Sequence, residues 1–94
     1  MTRILLSSQV EAFRCGLHPA HRRAFKRALV DLAAGRGDLA PLSDELDGFY
    51  RLRVGDIRIV FRYEQDGVIR CRFAGRRKFV YELLRVNPAR LLDA

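Results

Sequence analysis

Apolar residues recur at helical spacing through the first third of the chain. The clearest series follows Pro19 and stops before the Gly35-Arg36-Gly37 turn, and its members are Phe25, Ala28, Leu29, Leu32 and Ala33. Because proline suits the first turn of a helix and glycine suits its end, this segment is predicted to be an amphipathic helix. Four cations lie mostly away from that stripe, namely Arg22, Arg23, Lys26 and Arg27. We interpret them as a solvated helix face, in preference to a nucleic-acid contact additional to that of the strands described below.

A shorter helix is predicted upstream. Ser8-Gln9-Val10-Glu11 has the spacing of a capping box, in which Ser8 and Glu11 would satisfy free backbone amides at the helix start. Val10 and Phe13 would face inward, and the helix would end near Gly16. A short strand over residues 3–6 would precede this helix.

Alternating apolar and polar residues predict a strand-rich second half. The three predicted strands are residues 49–54, 57–64 and 68–74. Residues 39–48, which include several acidic side chains, are predicted as a loop. Asn87-Pro88 would cap one last short turn near the C-terminus. The chain is therefore expected to form a single α+β domain over residues 1–94.

The turns determine which residues share a face of the predicted sheet. Gly55-Asp56 has the pattern of a two-residue hairpin loop, which sets Arg53 opposite Arg58 and Leu52 opposite Ile59. For the second turn, a two-residue loop would set Phe61 opposite Arg72 and mix core with charge. The three-residue loop Gln65-Asp66-Gly67 instead sets Phe61 opposite Cys71 and Ile59 opposite Phe73, and it is therefore preferred.

Six arginines share one face of the sheet in these registers. The apolar face carries Leu52, Val54, Ile57, Ile59 and Phe61. The other face carries Arg51, Arg53, Arg58, Arg62, Arg70 and Arg72. Like charges opposite one another destabilise a sheet, and surfaces needed only for solubility usually mix both signs. The pattern favours a phosphate-binding surface over a merely soluble outer face.

The charge balance supports a polyanionic partner. The formal net charge is +7, and from Gly48 onward eleven Lys/Arg stand against five Asp/Glu. Arginine suits planar, multi-donor phosphate recognition. Cys15 and Cys71 fit no metal spacing, and His18 and His21 lie far in sequence from the arginines, so no metal site and no cofactor are expected.

A last helix is predicted over residues 77–85. Its inward stripe would be Phe79, Val80, Leu83 and Leu84. Arg77, Tyr81 and Arg85 would then lie together on the opposite side, four residues apart each time. A tyrosine among arginines is a candidate for proton transfer or base stacking, although an ordinary amphipathic surface tyrosine explains it equally well.

These segments resemble the RelE/ParE toxin superfamily over roughly residues 42–84. The resemblance rests on LDGFYRLRVGDIRIVF at residues 46–61, followed by GRRKFVY at residues 75–81. The closing Gly-x-Arg-x-x-x-Tyr pattern is more similar to the RelE-like branch. The resemblance implies a small antiparallel sheet of about four strands, two N-terminal helices packed on one face and a short C-terminal helix.

The implied activity is cleavage of mRNA, typically in the ribosomal A site and without a metal. In RelE-like toxins the ribose 2′-hydroxyl attacks the neighbouring phosphate, which leaves a cyclic phosphate and a free 5′-hydroxyl. Carried over by position, Arg58 and Arg77 would hold the scissile phosphate, and Tyr81 would act as general base or stack on the nucleotide.

The other implied RNA contacts are basic residues of the sheet and the last helix. Arg51 and Arg53 fall where the family has basic strand residues, often lysines. Because the pKa of arginine lies above ~12, it is a poor proton donor, and the general acid stays open. The further RNA contacts are Arg62, Arg70, Arg72, Arg76, Lys78 and Arg85.

The resemblance also implies a cognate antitoxin, with an acidic segment that wraps the positively charged toxin. The remaining partners would be mRNA and the ribosome, and not a membrane, because no apolar run approaches the ~20 residues of a spanning helix. The N-terminal apolar stretch is too short for a signal peptide, so a cytoplasmic protein is expected. Two alternatives stay open: a ParE-like inhibitor of DNA gyrase, and a non-catalytic nucleic-acid-binding member of the family.

Overall fold

The structure, a computed structural model, describes residues 2–87 and combines three helices with a five-stranded sheet. In chain order the elements are β1 (Arg3–Leu6), α1 (Ser8–Cys15), α2 (Pro19–Ala33), β2 (Asp38–Pro41), β3 (Tyr50–Val54), β4 (Ile57–Tyr63), β5 (Val68–Arg76) and α3 (Arg77–Val86). Short 3₁₀ turns lie at Asp44–Leu46 and Gln65–Gly67. The predicted α+β class is confirmed. The predicted cap at Asn87-Pro88 lies partly outside the described residues.

The sheet has one more strand than the sequence predicted. Its order is β1-β5-β4-β3-β2, and all neighbours are antiparallel except β1 and β5, which are parallel. The extra strand is β2, which begins at Asp38, one residue before the predicted loop of residues 39–48, and sets Leu39 opposite Leu52. Four residues ending in proline give too little alternation to predict a strand, and proline is tolerated there because β2 is an edge strand.

The two N-terminal helices pack on one face of the sheet, as predicted. Val10 of α1 and both Phe25 and Leu32 of α2 are fully or almost fully buried against it. The sheet contributes the predicted apolar face, and its fully buried members include Leu52, Ile59, Phe61 and Cys71. The amphipathic stripe of α2 therefore forms the main core.

The helix α3 covers the opposite face of the sheet with a second, smaller core. This core contains Leu46, Phe49, Val60, Phe73, Val80 and Leu84. The prediction that Phe79 faces inward is wrong, because its side chain is 63% exposed. The helix instead directs Val80 at Gly75, where an added Cβ would lie 3.0 Å from the Val80 Cγ2. That close approach rotates Phe79, one residue earlier on the helix, towards solvent.

The predicted hairpin registers are confirmed with one correction. Arg53 lies opposite Arg58 across the Gly55-Asp56 turn, and the three-residue turn at Gln65–Gly67 sets Phe61 opposite Cys71. The predicted pairing of Ile59 with Phe73 is wrong. A bulge shifts the β4–β5 register, so that Ile59 faces Ala74 and Phe73 joins the second core. An extra residue in β5 reverses the alternation beyond it, which no turn pattern reveals.

The start of α1 differs by one residue from the prediction. Ser7, and not Ser8, is the N-cap, and its hydroxyl accepts a hydrogen bond from the Val10 amide at 3.2 Å. Glu11 is then one position too far along to complete a capping box and pairs with Arg14 instead. Two adjacent serines satisfy the same capping pattern, and tertiary pairing selects between them: the Ser7 hydroxyl also donates to the Arg72 carbonyl at 2.8 Å.

The Gln9 side chain continues the strand pairing of β5 beyond the end of β1. Its Nε2 donates to the Ala74 carbonyl at 2.7 Å, and its Oε1 accepts from the Ala74 amide at 2.8 Å. Replacing Gln9 by alanine would leave the amide and the carbonyl of Ala74 without these side-chain partners. We expect Gln9→Ala to lower the free energy of unfolding by about 1–3 kcal/mol in urea titrations. Gln65→Ala, at an exposed turn, is the control, and an equal loss in both variants would contradict this role.

Candidate functional site

A cleft of about 600 Å³ runs along the outer side of α3. Its walls are Asp56, Arg77, Lys78, Tyr81, Glu82 and Arg85. The Arg77 amide donates to the Asp56 carbonyl at 2.8 Å, which joins the start of α3 to the tip of the β3–β4 hairpin. The cleft therefore lies where the chain leaves the sheet and turns into the helix.

The cleft brings together three residues that the sequence placed on one helix side. Arg77, Tyr81 and Arg85 all line it, and each of the three side chains is exposed. Together with Lys78, three cations surround the tyrosine, against the carboxylates of Asp56 and Glu82. Such a set can bind an anion and exchange a proton with it.

Sequence reasoning missed the two carboxylates as members of this site. Glu82 was available from helical spacing, since it lies four residues after Lys78 and shares its side of α3. Asp56 was counted only as a turn residue. Its place in the cleft depends on the contact between the hairpin tip and α3, and no local pattern signals a contact of that kind.

Arg58, a predicted catalytic residue, is buried and lies outside the walls of the cleft. The residue is only 5% exposed. Nη1 donates to the carbonyls of Gly55 at 2.8 Å and Ile57 at 3.1 Å. Within residues 2–87, its Nε has no hydrogen-bond partner. Because both of these contacts use Nη1, a bound phosphate would have to be held by Nε or Nη2 of this guanidinium.

Arg51 and Arg53 are associated with an acidic residue of the edge strand. Asp38 on β2 lies opposite Arg53, and its carboxylate is 3.4 Å from Arg51 Nη1 and 3.9 Å from Arg53 Nη1. The sequence could not reveal this partner because no strand was predicted at Asp38. The Asp38 carboxylate therefore offsets part of the positive charge that the strand pattern indicated at Arg51 and Arg53.

A second acidic residue, Glu64, lies beside the arginines at the other end of the arginine face. Arg62 and Arg70 lie opposite one another, as predicted, and each is 2.9 Å from a carboxylate oxygen of Glu64. The hydrogen bonds from Arg70 and then Arg62 lower the pKa of Glu64. Burial, followed by the charges of Arg62 and Arg70, lowers the pKa of Arg72. Glu64 therefore offsets a like-charge contact and is more than the turn-flanking residue that the sequence suggested.

The lowered pKa of Glu64 predicts a pH-dependent stability. A carboxylate with a folded-state pKa below its unfolded value stabilises the fold above the unfolded value, and this is lost as the pH falls through the folded one. Glu64→Gln is therefore expected to be less stable than the wild type at neutral pH. The difference should shrink as the pH falls below about 4.3, the ordinary pKa of glutamate, and disappear only below the folded-state pKa, as checked by urea titrations across pH. Glu45→Gln serves as the control, and a pH-independent difference would contradict the ion pairs.

One further predicted site residue, Arg76, lies at the surface. Arg76, exposed at the end of β5, borders a small groove together with His21 and the hairpin tip. His18 caps α2, with its Nδ1 accepting from the Ala20 amide at 3.3 Å. Across residues 2–87, no group of three His, Cys, Asp or Glu side chains is arranged to hold a metal ion. Over the same residues, no helix is both long and apolar enough to span a membrane.

Solved structures of toxins and toxin–antitoxin complexes share this fold. A chain of the RelE–RelB complex from the archaeon Pyrococcus horikoshii is 26% identical, with 81% of this chain and 94% of that chain covered and a TM-score of 0.66. For the RelBE2 toxin–antitoxin complex from Mycobacterium tuberculosis the values are 18%, 81%, 91% and 0.69. For YafQ from E. coli they are 15%, 86%, 99% and 0.64. No family model and no curated protein sequence matches the chain.

Proposed function

We propose that this chain, which has the fold of the RelE/ParE toxin superfamily, is the toxin of a toxin–antitoxin pair and cuts mRNA on the ribosome. The observation that carries the proposal is the α3 cleft, where Arg77, Tyr81 and Arg85 meet beside the hairpin tip. The three residues are exposed, and the cleft is open enough to admit a nucleotide. An anionic substrate with a ribose hydroxyl fits both the charge and the proton-exchanging groups.

The proposed reaction is an attack of the ribose 2′-oxygen on the adjacent phosphorus. The bond from phosphorus to the 5′-oxygen breaks, which yields a cyclic phosphate and a free 5′-hydroxyl. A base in the cleft takes the 2′-hydroxyl proton, and the leaving 5′-oxygen receives a proton. Arg77 and Arg85 would hold the phosphate and stabilise its developing charge. Tyr81 would accept the proton or stack on the nucleotide.

The arginines of the sheet would act more indirectly. Arg51 and Arg53 contact Asp38, and Arg62 and Arg70 contact Glu64, so each pair would exchange a carboxylate for RNA on binding. Such an exchange gives a smaller net gain than binding by unpaired arginines. We therefore assign these residues, with Arg72, to positioning of the RNA backbone, and place the chemistry at α3.

An antitoxin with an acidic segment is the proposed protein partner. Structures that share the fold include complexes of RelE with RelB and of YoeB with YefM. A chain with a net charge of +7 favours a negatively charged wrapping segment. The proposed target, ribosome-bound mRNA, corresponds to action in the cytoplasm without a resident metal or cofactor.

Mapping of mRNA 5′ ends after brief induced expression tests this function. The wild type is compared with an Arg77→Ala, Tyr81→Phe double variant whose fold is checked by circular dichroism. New ends inside reading frames, in phase with codons and missing from the variant, are expected. Growth arrest with intact mRNA would overturn the ribonuclease proposal and favour gyrase inhibition, and RNA binding without cleavage would favour a non-catalytic family member.

A further inference from the structure

The cations of the described chain differ in whether a carboxylate lies beside them. Several lie beside a carboxylate: Arg14 with Glu11, Arg36 with Asp31, Arg51 and Arg53 with Asp38, and Arg62 and Arg70 with Glu64. The α2 cationic face, defined as Arg22, Arg23, Lys26 and Arg27, forms no ion pair within residues 2–87. All four of its residues are exposed. In this respect they resemble the cations of the α3 cleft.

The α2 cationic face is unfavourable for the helix that carries it. Arg22 and Lys26, and likewise Arg23 and Arg27, place like charges four residues apart, which destabilises a helix. The first turn of α2 has no acidic residue, so no carboxylate at the helix start offsets Arg22 and Arg23. Mixed charges would give the same solubility without that cost. The arrangement therefore favours a bound anion over the solvated helix face that the sequence alone indicated.

The α2 helix also approaches the α3 cleft at one end of the sheet. His21 and Ala24, from the first half of α2, border a groove with Gly55, Asp56 and Arg76 at the hairpin tip and the end of β5. Asp56 lines the α3 cleft as well, and Arg76 directly precedes Arg77. An RNA strand that leaves the cleft across the hairpin tip would reach Arg76 and then the first half of α2.

We propose that the α2 cationic face binds backbone phosphates of RNA outside the α3 cleft, so that the two form one surface around the hairpin tip. This proposal rests on the function proposed above and extends it to RNA that is not cut. The charges of arginine and lysine both bind phosphate oxygens, and arginine can add a second parallel hydrogen bond. A protein partner is less favoured, because protein interfaces bury apolar side chains at their centre. The helix α2 exposes one large apolar residue, Val30.

The test compares two variants that each remove two positive charges. Arg23→Gln, Arg27→Gln changes the α2 cationic face, and Arg14→Gln, Arg36→Gln removes two arginines that already have carboxylate partners. The probe is a single-stranded 20-nucleotide RNA with 2′-O-methyl groups, which cannot be cut because the attacking hydroxyl is blocked. Fluorescence anisotropy gives the dissociation constant at several salt concentrations.

The α2 variant is expected to bind about 10- to 30-fold more weakly near 0.1 M salt, with a salt slope reduced by about 1.4. The control variant should change the affinity less than about threefold, since its charges act only at long range. Arg23→Lys, Arg27→Lys should restore most of the binding. Equal losses in the α2 and control variants, or no loss in either, would overturn the proposal.

Two further results separate this inference from its alternatives. A loss of affinity for poly-L-glutamate with unchanged RNA binding would assign the surface to an acidic protein and overturn the proposal. Because the probe is not cut, the binding result is independent of nuclease activity. Cleavage by the wild type with unchanged RNA binding in the α2 variant would refute this inference alone, whereas no cleavage with weakened binding would refute the nuclease and leave the surface.

Discussion

Replacing Arg77 by alanine is expected to lower the rate of mRNA cleavage about 100- to 1,000-fold. Arg77 lines the α3 cleft, and its guanidinium would face the charge that develops on the phosphate in the transition state. Loss of one such donor typically has an effect of this size because no water molecule replaces it in the right orientation. Single-turnover cleavage of ribosome-bound mRNA by purified protein measures the effect.

Arg36→Ala is the matched control for this prediction. Arg36 is also an exposed arginine, but it pairs with Asp31 at the end of α2 and lies outside the cleft. Its replacement should change the cleavage rate less than threefold. Arg77→Lys should recover part of the loss, since lysine keeps the charge but not the two-pronged contact. A rate for Arg77→Ala within twofold of the wild type would remove Arg77 from the site.

Replacing Phe25 by alanine is expected to lower the free energy of unfolding by about 3–5 kcal/mol. Phe25 is fully buried between α2 and the sheet, next to the ring of Phe13 at a centroid distance of 6.4 Å. Its removal leaves a cavity in the main core that neighbouring side chains fill only in part. Urea titration followed by circular dichroism measures the loss.

Val30→Ala on the same helix is the control for the core prediction. Val30 is 59% exposed and contributes little to packing. Its replacement should alter the free energy of unfolding by no more than about 0.5 kcal/mol. A similar loss in both variants would mean that α2 does not rest on the sheet through its predicted stripe.

Local patterns predicted those parts of the fold that depend on neighbours in sequence. The stripe through Phe25, the two-residue turn at Gly55-Asp56 and the loop at Gln65–Gly67 each combine periodicity with specific turn residues. The errors concern features set by distant contacts. The strand β2 exists because β3 offers it a partner, and the orientation of Phe79 follows from the approach of Val80 to Gly75.

The candidate site was predictable on α3 and less so on the sheet. Helical spacing correctly brought Arg77, Tyr81 and Arg85 to one side. Strand alternation correctly gave the arginine face, but it could not show that Asp38 and Glu64 lie beside its charges. It also could not show that Arg58 is buried with its guanidinium on backbone carbonyls. Accessibility and pairing depend on tertiary packing, which alternation does not encode.

The chemistry of the cut ends distinguishes the proposed reaction from gyrase inhibition and from RNA binding without cleavage, neither of which cuts mRNA. Purified wild-type protein is incubated with ribosome-bound mRNA in the presence of a chelator, and the fragment termini are identified. We expect a cyclic phosphate on the upstream fragment and a free 5′-hydroxyl on the downstream one, with neither formed when the nucleotide at the cut carries deoxyribose. Intact mRNA, or fragments with 5′-phosphate ends, would contradict cleavage by the 2′-hydroxyl in the α3 cleft.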